Sequence, residues 1–171
     1  NALEGGFMVA AGRGKQAHAC LERAFALEPG FWIALLLRAG LALEAGNAAA
    51  AVADLECAAE GRPGRTSLVL ATLAQAYAAN DQAGEAEAVA RELRARQLVG
   101  YVPEANLAAV HLALGDAGAA LDCLERAREA RDIRIVFLGI DARWNPLRGT
   151  QRFRRLVESL GLPNARGHSR L

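Results

Sequence analysis

Aromatic residues are scarce in this chain. They make up 5% of its 171 residues, against 53% for all hydrophobic types together. The apolar mass is therefore mostly Ala and Leu. These lose little side-chain freedom in a helix, whereas sheets favour β-branched and aromatic residues. That balance excludes a sheet-based core and predicts an all-α fold. Cysteine is equally sparing. Cys20, Cys57 and Cys123 are odd in number, and none belongs to a C-x-x-C pair. A disulfide framework or a zinc site built on them is not expected. The three read as small apolar fillers in a reducing, cytoplasmic compartment.

Long apolar runs are missing too. The longest, Phe31 to Leu43, contains Arg38 and is too short to cross a bilayer. No membrane contact and no signal peptide are expected. The chain starts at Asn1 rather than Met, so it reads as a fragment whose upstream part could hold a targeting segment. The formal net charge is only +1, so no global field draws in nucleic acid, and none is expected to bind this stretch. The charge is uneven, however. From Arg131 onward nine Arg face Asp132, Asp141 and Glu158, a net +6, and residues 1–130 carry −5. These Arg are scattered over short elements and are expected to face solvent.

Catalytic chemistry is also wanting. The serines Ser67, Ser159 and Ser169 lie on no G-x-S-x-G elbow. His18, His111 and His168 form no helical pair with metal spacing. His111 falls one repeat after Tyr77, at a packing position, which predicts a partly buried, hydrogen-bonded imidazole. Gly12-Arg13-Gly14-Lys15 lacks the earlier Gly and the following Ser or Thr of a phosphate loop. No nucleophile, base and oxyanion donor come together, so neither enzyme activity nor a cofactor or metal is expected.

What the chain does have is a repeat. Small residues recur at Ala17, Ala51, Ala86 and Ala120, with gaps of 34, 35 and 34. Four residues on come Leu21, Leu55, Ala90 and Leu124, and three further Ala24, Ala58, Leu93 and Ala127. A turn residue precedes each set: Gly12, Gly46, Asp81 and Gly115. Upstream of each turn lies another helical stretch: Leu3–Ala11 (truncated), Phe31–Ala45, Ser67–Asn80 and Pro103–Leu114. Each unit thus reads helix, tight turn, helix. A small residue one turn before a Leu lets two helices approach closely while the Leu fills the gap. No single hairpin buries its own apolar face, so the units must stack. The extra residue of the second gap falls in the Gly61–Thr66 loop.

After the repeats, Ile135 to Leu138 predict a short apolar turn, and Pro146 a chain break. Thr150 is placed to cap a last helix running to Leu160, with Phe153, Leu156, Val157 and Leu160 as its apolar stripe. Gly161 and Pro163 stop it. The expected organisation is therefore repeats over 1–132, a capping segment over 133–163 and a tail over 164–171.

The period and the small-large-small spacing resemble the tetratricopeptide family, whose characteristic aromatic is kept as Tyr77 and whose closing prolines as Pro29 and Pro63. The capping segment carries Val136-Phe137-Leu138, Asp141, Arg143, Pro146-Leu147-Arg148, Arg152-Phe153 and Gly161-Leu162-Pro163. With the last repeat, it resembles the C-terminal tetratricopeptide region of bacterial signalling proteins. Those include winged-helix transcription regulators, class III adenylate cyclases and Ser/Thr kinases. The resemblance implies a stacked-hairpin solenoid of about three and a half hairpins. It also implies a non-catalytic sensory or interaction module whose output domain precedes Asn1.

In such a stack the first helix of each hairpin lines a concave groove. The positions expected to face it are Ile33, Leu36, Gly40 and Leu43; then Leu68, Ala71, Gln75 and Ala78; then Val102, Ala105, Ala109 and Leu112. Charge is expected on the second helices instead, at Asp54, Glu85, Glu87, Arg91 and Arg94. Relatives that bind chaperone C-termini hold carboxylates with Lys and Asn. Here only Asn106 approaches that chemistry, so this groove is not expected to clamp acidic C-terminal peptides. The expected partner is an apolar protein or peptide segment, or a second copy of the chain in a scaffold.

Overall fold

The computed structural model describes residues 14–28 and 30–161, with side chains from Cys20 onward. Among these residues the fold is all-α, as the composition predicts. Seven α-helices come first: α1 Gly14–Leu27, α2 Trp32–Glu44, α3 Ala48–Glu60, α4 Ser67–Ala79, α5 Ala83–Val99, α6 Glu104–Ala113 and α7 Ala117–Glu129. Two 3-10 segments, Ile133–Phe137 and Ala142–Leu147, lead to α8, Gln151–Ser159. The expected elements at Leu3–Ala11 and beyond Gly161, the residues Pro29 and His168, and the side chain of Ala17 lie outside what is described.

Local chemistry sets the helix starts. The Asn47 side chain accepts from Ala50 N, Thr66 Oγ1 from Val69 N, Asp116 Oδ1 from Ala119 N and Thr150 Oγ1 from Phe153 N. Each satisfies an amide that the helix itself leaves unpaired. The turns inside the hairpins use one backbone device. Gly46, Asp81 and Gly115, equivalent in the repeat, all adopt positive φ, of 76°, 58° and 81°. Gly takes this conformation without a side-chain penalty, and Asp is among the residues that tolerate it best. Connections this short make the paired helices antiparallel.

Two compact units divide the chain, residues 1–101 and 102–171. This boundary falls inside the repeat array rather than at 132. In the first unit α2 packs on α3, α3 on α4 and α4 on α5, while α2 also meets α1 and α4. In the second, α6 packs on α7, and α7 on the first 3-10 segment and on α8.

The repeat register is visible in burial. Ala51, Ala86 and Ala120 are fully buried, as are or nearly are Leu21, Leu55, Ala90, Leu124, Ala58, Leu93 and Ala127. A methyl at the first of these positions leaves room for the facing helix, and the Leu one turn later occupies that room.

The C-terminal segment departs from expectation in one respect. Pro146 does not break the chain but sits inside the second 3-10 segment, with Trp144 and Leu147 buried beside it. Both 3-10 segments begin alike. Asp132 accepts from Arg134 N and pairs with its guanidinium, and Asp141 does the same for Arg143. The final helix follows prediction, with Phe153, Leu156 and Val157 buried and Gly161 closing it at φ 64°.

Candidate functional site

The candidate groove residues do not share one environment. On α2, Ile33, Leu36, Gly40 and Leu43 follow one another at spacings of three and four, so they lie along one helix face. All four are half-buried, whereas Ala34, Leu35 and Ala39 of the same helix are fully covered. Among the described residues, a methyl group added to Gly40 would meet no heavy atom within 4 Å, so they leave the middle of this face open. Ile33 and Leu36 lean inward at one edge. Ile33 packs against Leu21, Ala24 and Ala34, and Leu36 against Leu35, Ala58 and Val69. On the neighbouring α4, Leu68, Gln75 and Ala78 are half-buried as well.

Five candidates have to be withdrawn. Ala71 of α4 is fully buried, because α4 meets α2, α3 and α5 and buries a run from Val69 to Ala74. In the second unit Val102, Ala105, Asn106 and Ala109 are buried too. An Ala methyl ends below the longer side chains beside it, so Ala105 and Ala109 present nothing outward. Asn106 is inside and therefore no carboxylate clamp. Leu112 alone of that group remains half-exposed.

Ion pairs hold α2 in place. The Arg38 guanidinium grips Asp54 of α3 with both ends, Nε to Oδ2 at 2.8 Å and Nη2 to Oδ1 at 2.6 Å. It also lies 4.2 Å from the centre of the Phe25 ring. The hydrogen bond to Asp54 raises the Arg38 pKa further above its already high value. Planar, bidentate pairing of this kind fixes orientation as well as distance. Asp54 is thus a structural anchor and not the solvated charge that its helix position predicts. Glu85, Glu87, Arg91 and Arg94 are exposed as expected.

A second network fixes the loop that holds the repeat's extra residue. Arg65 binds Glu92 of α5, Arg96 Nη2 reaches the same carboxylate at 2.6 Å, and Arg96 Nη1 donates to the Arg65 carbonyl. The Arg65 hydrogen bond, opposed by partial burial, holds Glu92 below the usual carboxylate range. Tyr77 donates to Glu56 Oε1 at 2.8 Å, and burial together with that bond pushes its phenol up to about 12.

Other expectations are amended by position. Cys20 and Cys123 are buried fillers in equivalent repeat sites, each accepting from the Arg three residues on, but Cys57 is exposed. Burial pushes the Cys123 thiol up to about 11, which leaves it protonated and unreactive at neutral pH. His111 is half-buried, yet its Nδ1 is 3.9 Å from Asp116 Oδ2, beyond hydrogen-bond range. The Arg-rich end is less solvated than its sequence suggests. Arg152 ties α8 to Asp122 and Glu125 of α7, and Arg148 donates to the Gly139 and Asp141 carbonyls.

Among the described residues no group of three His, Cys, Asp or Glu is placed to hold a metal ion. No helix among them is long and apolar enough to cross a membrane. No family model, curated protein or solved structure gives a significant match to this chain.

Proposed function

We propose that the chain is a non-catalytic protein-interaction module of a larger bacterial regulatory protein, and that it binds an apolar partner segment on the Ile33–Leu43 face of α2. The observation that carries this reading is the open space at Gly40 within a face that is otherwise leucine and isoleucine. An apolar helix face needs cover, and an uncovered one on a soluble protein usually marks a contact. Leu68 of α4 supplies a second apolar position in the same unit. A groove made by two helices suits an amphipathic helix that lays its own apolar stripe along it. The bidentate Arg38–Asp54 pair keeps α2 from rotating to hide the face. The resemblance of the repeats and the capping segment to signalling-protein C-termini supports the regulatory setting.

A photo-crosslinking amino acid at Leu43 or Leu68 tests this in cells that make the intact protein. The expected result is a discrete adduct with a different protein from both positions and none from the exposed Arg94. Equal labelling at all three positions would sink the reading. Adducts solely with a second copy of the chain would replace it by self-association, for which solution mass should then rise with concentration.

A further inference from the structure

The capping segment carries a second apolar surface. A 3-10 helix has three residues per turn, so residues three apart share a face. In the first segment Ile135 and Leu138 form the inward face, and both are buried. The hydrogen bond from Ile140 N to Phe137 O continues the winding past Phe137. The two outward faces then carry Ile133 with Val136, and Phe137 with Ile140. These four are exposed by 76%, 46%, 46% and 48%. At about 2 Å rise per residue they make a ridge roughly 14 Å long. Their combined exposed area is on the order of a few hundred Å², comparable with the largest apolar patch of a typical monomer, which is often functional. Ile135 and Leu138 already supply the segment's anchoring, so the fold itself does not call for hydrophobic groups on the outer faces.

Charges of both signs surround the ridge, with Arg in excess. Asp132 is spent on Arg134 and Asp141 on Arg143. Arg131 is exposed, and Arg148 donates to Asn145 Oδ1 and to the Gly139 and Asp141 carbonyls, none of which cancels its charge. From Arg131 to Arg148 the sequence holds four Arg and two Asp. The ridge is thus a short apolar strip with an uncompensated positive rim.

We infer that this ridge docks an amphipathic segment of a partner protein whose apolar side chains are flanked by carboxylates. The apolar strip supplies the contact, and the positive rim selects the sign of the flanks. An anionic membrane is the poorer match, because lipid-binding basic segments cluster four to eight Lys or Arg, and two of the four Arg here are paired with Asp132 and Asp141. The ridge belongs to the second unit and the α2 face to the first, and the failure of this inference would leave the α2 reading untouched.

The test uses two fluorescent amphipathic helical peptides with the same Leu and Phe positions, one carrying Glu elsewhere and the other Lys. Anisotropy titration into the full chain should show the Glu peptide binding at least about tenfold tighter, a preference of 1.4 kcal/mol. Higher salt should shrink that preference. Ile133→Asp should weaken the Glu peptide by about tenfold with the melting temperature held, since Ile133 is 76% exposed. Arg131→Glu should narrow the Glu-over-Lys preference without touching the apolar contact, and serves if an apolar variant misfolds. Equal affinity for the two peptides, absence of Glu-peptide binding, or wild-type binding by Ile133→Asp would each overturn the inference. So would stronger attachment to phosphatidylserine vesicles than to the Glu peptide. A solution mass that rises with concentration and falls in Ile133→Asp would likewise overturn it, by giving the ridge to a second copy.

Discussion

Replacing Ala86 tests the repeat register at its tightest point. Ala86 is 0% exposed and lies on α5, which packs on α4. Ala86→Gly removes one buried methyl and adds a flexible residue to a helix, which together cost roughly 1–2 kcal/mol. Ala86→Leu forces three further carbons into filled space, at about 1–3 kcal/mol. Ala86→Arg forces a charge into a fully buried site and should cost more than either. In a unit of this size each kcal/mol lowers the melting temperature by roughly 4–8 °C. The order of melting temperatures should therefore be Ala, then Gly, then Leu, then Arg. The assay is a thermal melt followed by helix dichroism. Ala88→Arg is the control, because Ala88 is exposed on the same helix and should shift stability by less than about 0.5 kcal/mol. If Ala86→Arg melted with the wild type, or if Ala88→Arg were the worse variant, the register would be wrong.

Two further predictions concern pH. Glu92 is held below the usual carboxylate range by Arg65, so its pairing stabilises the fold above the unfolded value of about 4.3 and is lost as pH falls through the lowered folded value. Glu92→Gln should flatten that part of the acid melting curve, and an unchanged acid dependence would contradict the pairing. Tyr77 has its phenol raised to about 12, so its contribution is complete below the unfolded value of about 10 and fades as pH climbs toward 12. The tyrosinate absorbance of wild type minus that of Tyr77→Phe should rise near pH 12, and a rise near 10 would contradict both the burial of the phenol and its bond to Glu56.

The helices and their register were legible because both follow from short-range rules. Apolar spacing, a capping Asn, Thr or Asp, and a positive-φ residue after each first helix are properties of neighbouring residues. Equivalence of Ala51, Ala86 and Ala120 could be read from spacing alone, since each repeats the same local packing problem. What spacing could not supply was depth. Leu36 and Ala71 occupy comparable groove positions, yet one is half-exposed and the other fully buried. The difference lies in side-chain length, which decides whether a residue reaches past its neighbours. Asp54 and Arg38 are sixteen residues apart, so their pairing appears only when α2 and α3 close as a hairpin. Pro146 marks a helix break in an α-helical reading, but a 3-10 turn accommodates it at the start of the last turn. The exposed ridge at Ile133 to Ile140 was hidden for a related reason. A period of three among four hydrophobic residues and two buried ones reads as a single apolar run until the inward pair is known.

The most direct test of the interaction reading is the cross-link yield from Leu43 in a chain carrying Gly40→Glu. None of the described residues lies within 4 Å of the added Cβ, and replacing a helical Gly by Glu gains up to about 1 kcal/mol of helix propensity. The melting temperature should therefore hold or rise. A carboxylate in the middle of an apolar contact would be desolvated by the partner, so the adduct with that partner should disappear. Retained stability with lost cross-linking is the predicted result. A lower melting temperature, or a cross-link that survives undiminished, would contradict the claim that this face is an open contact surface.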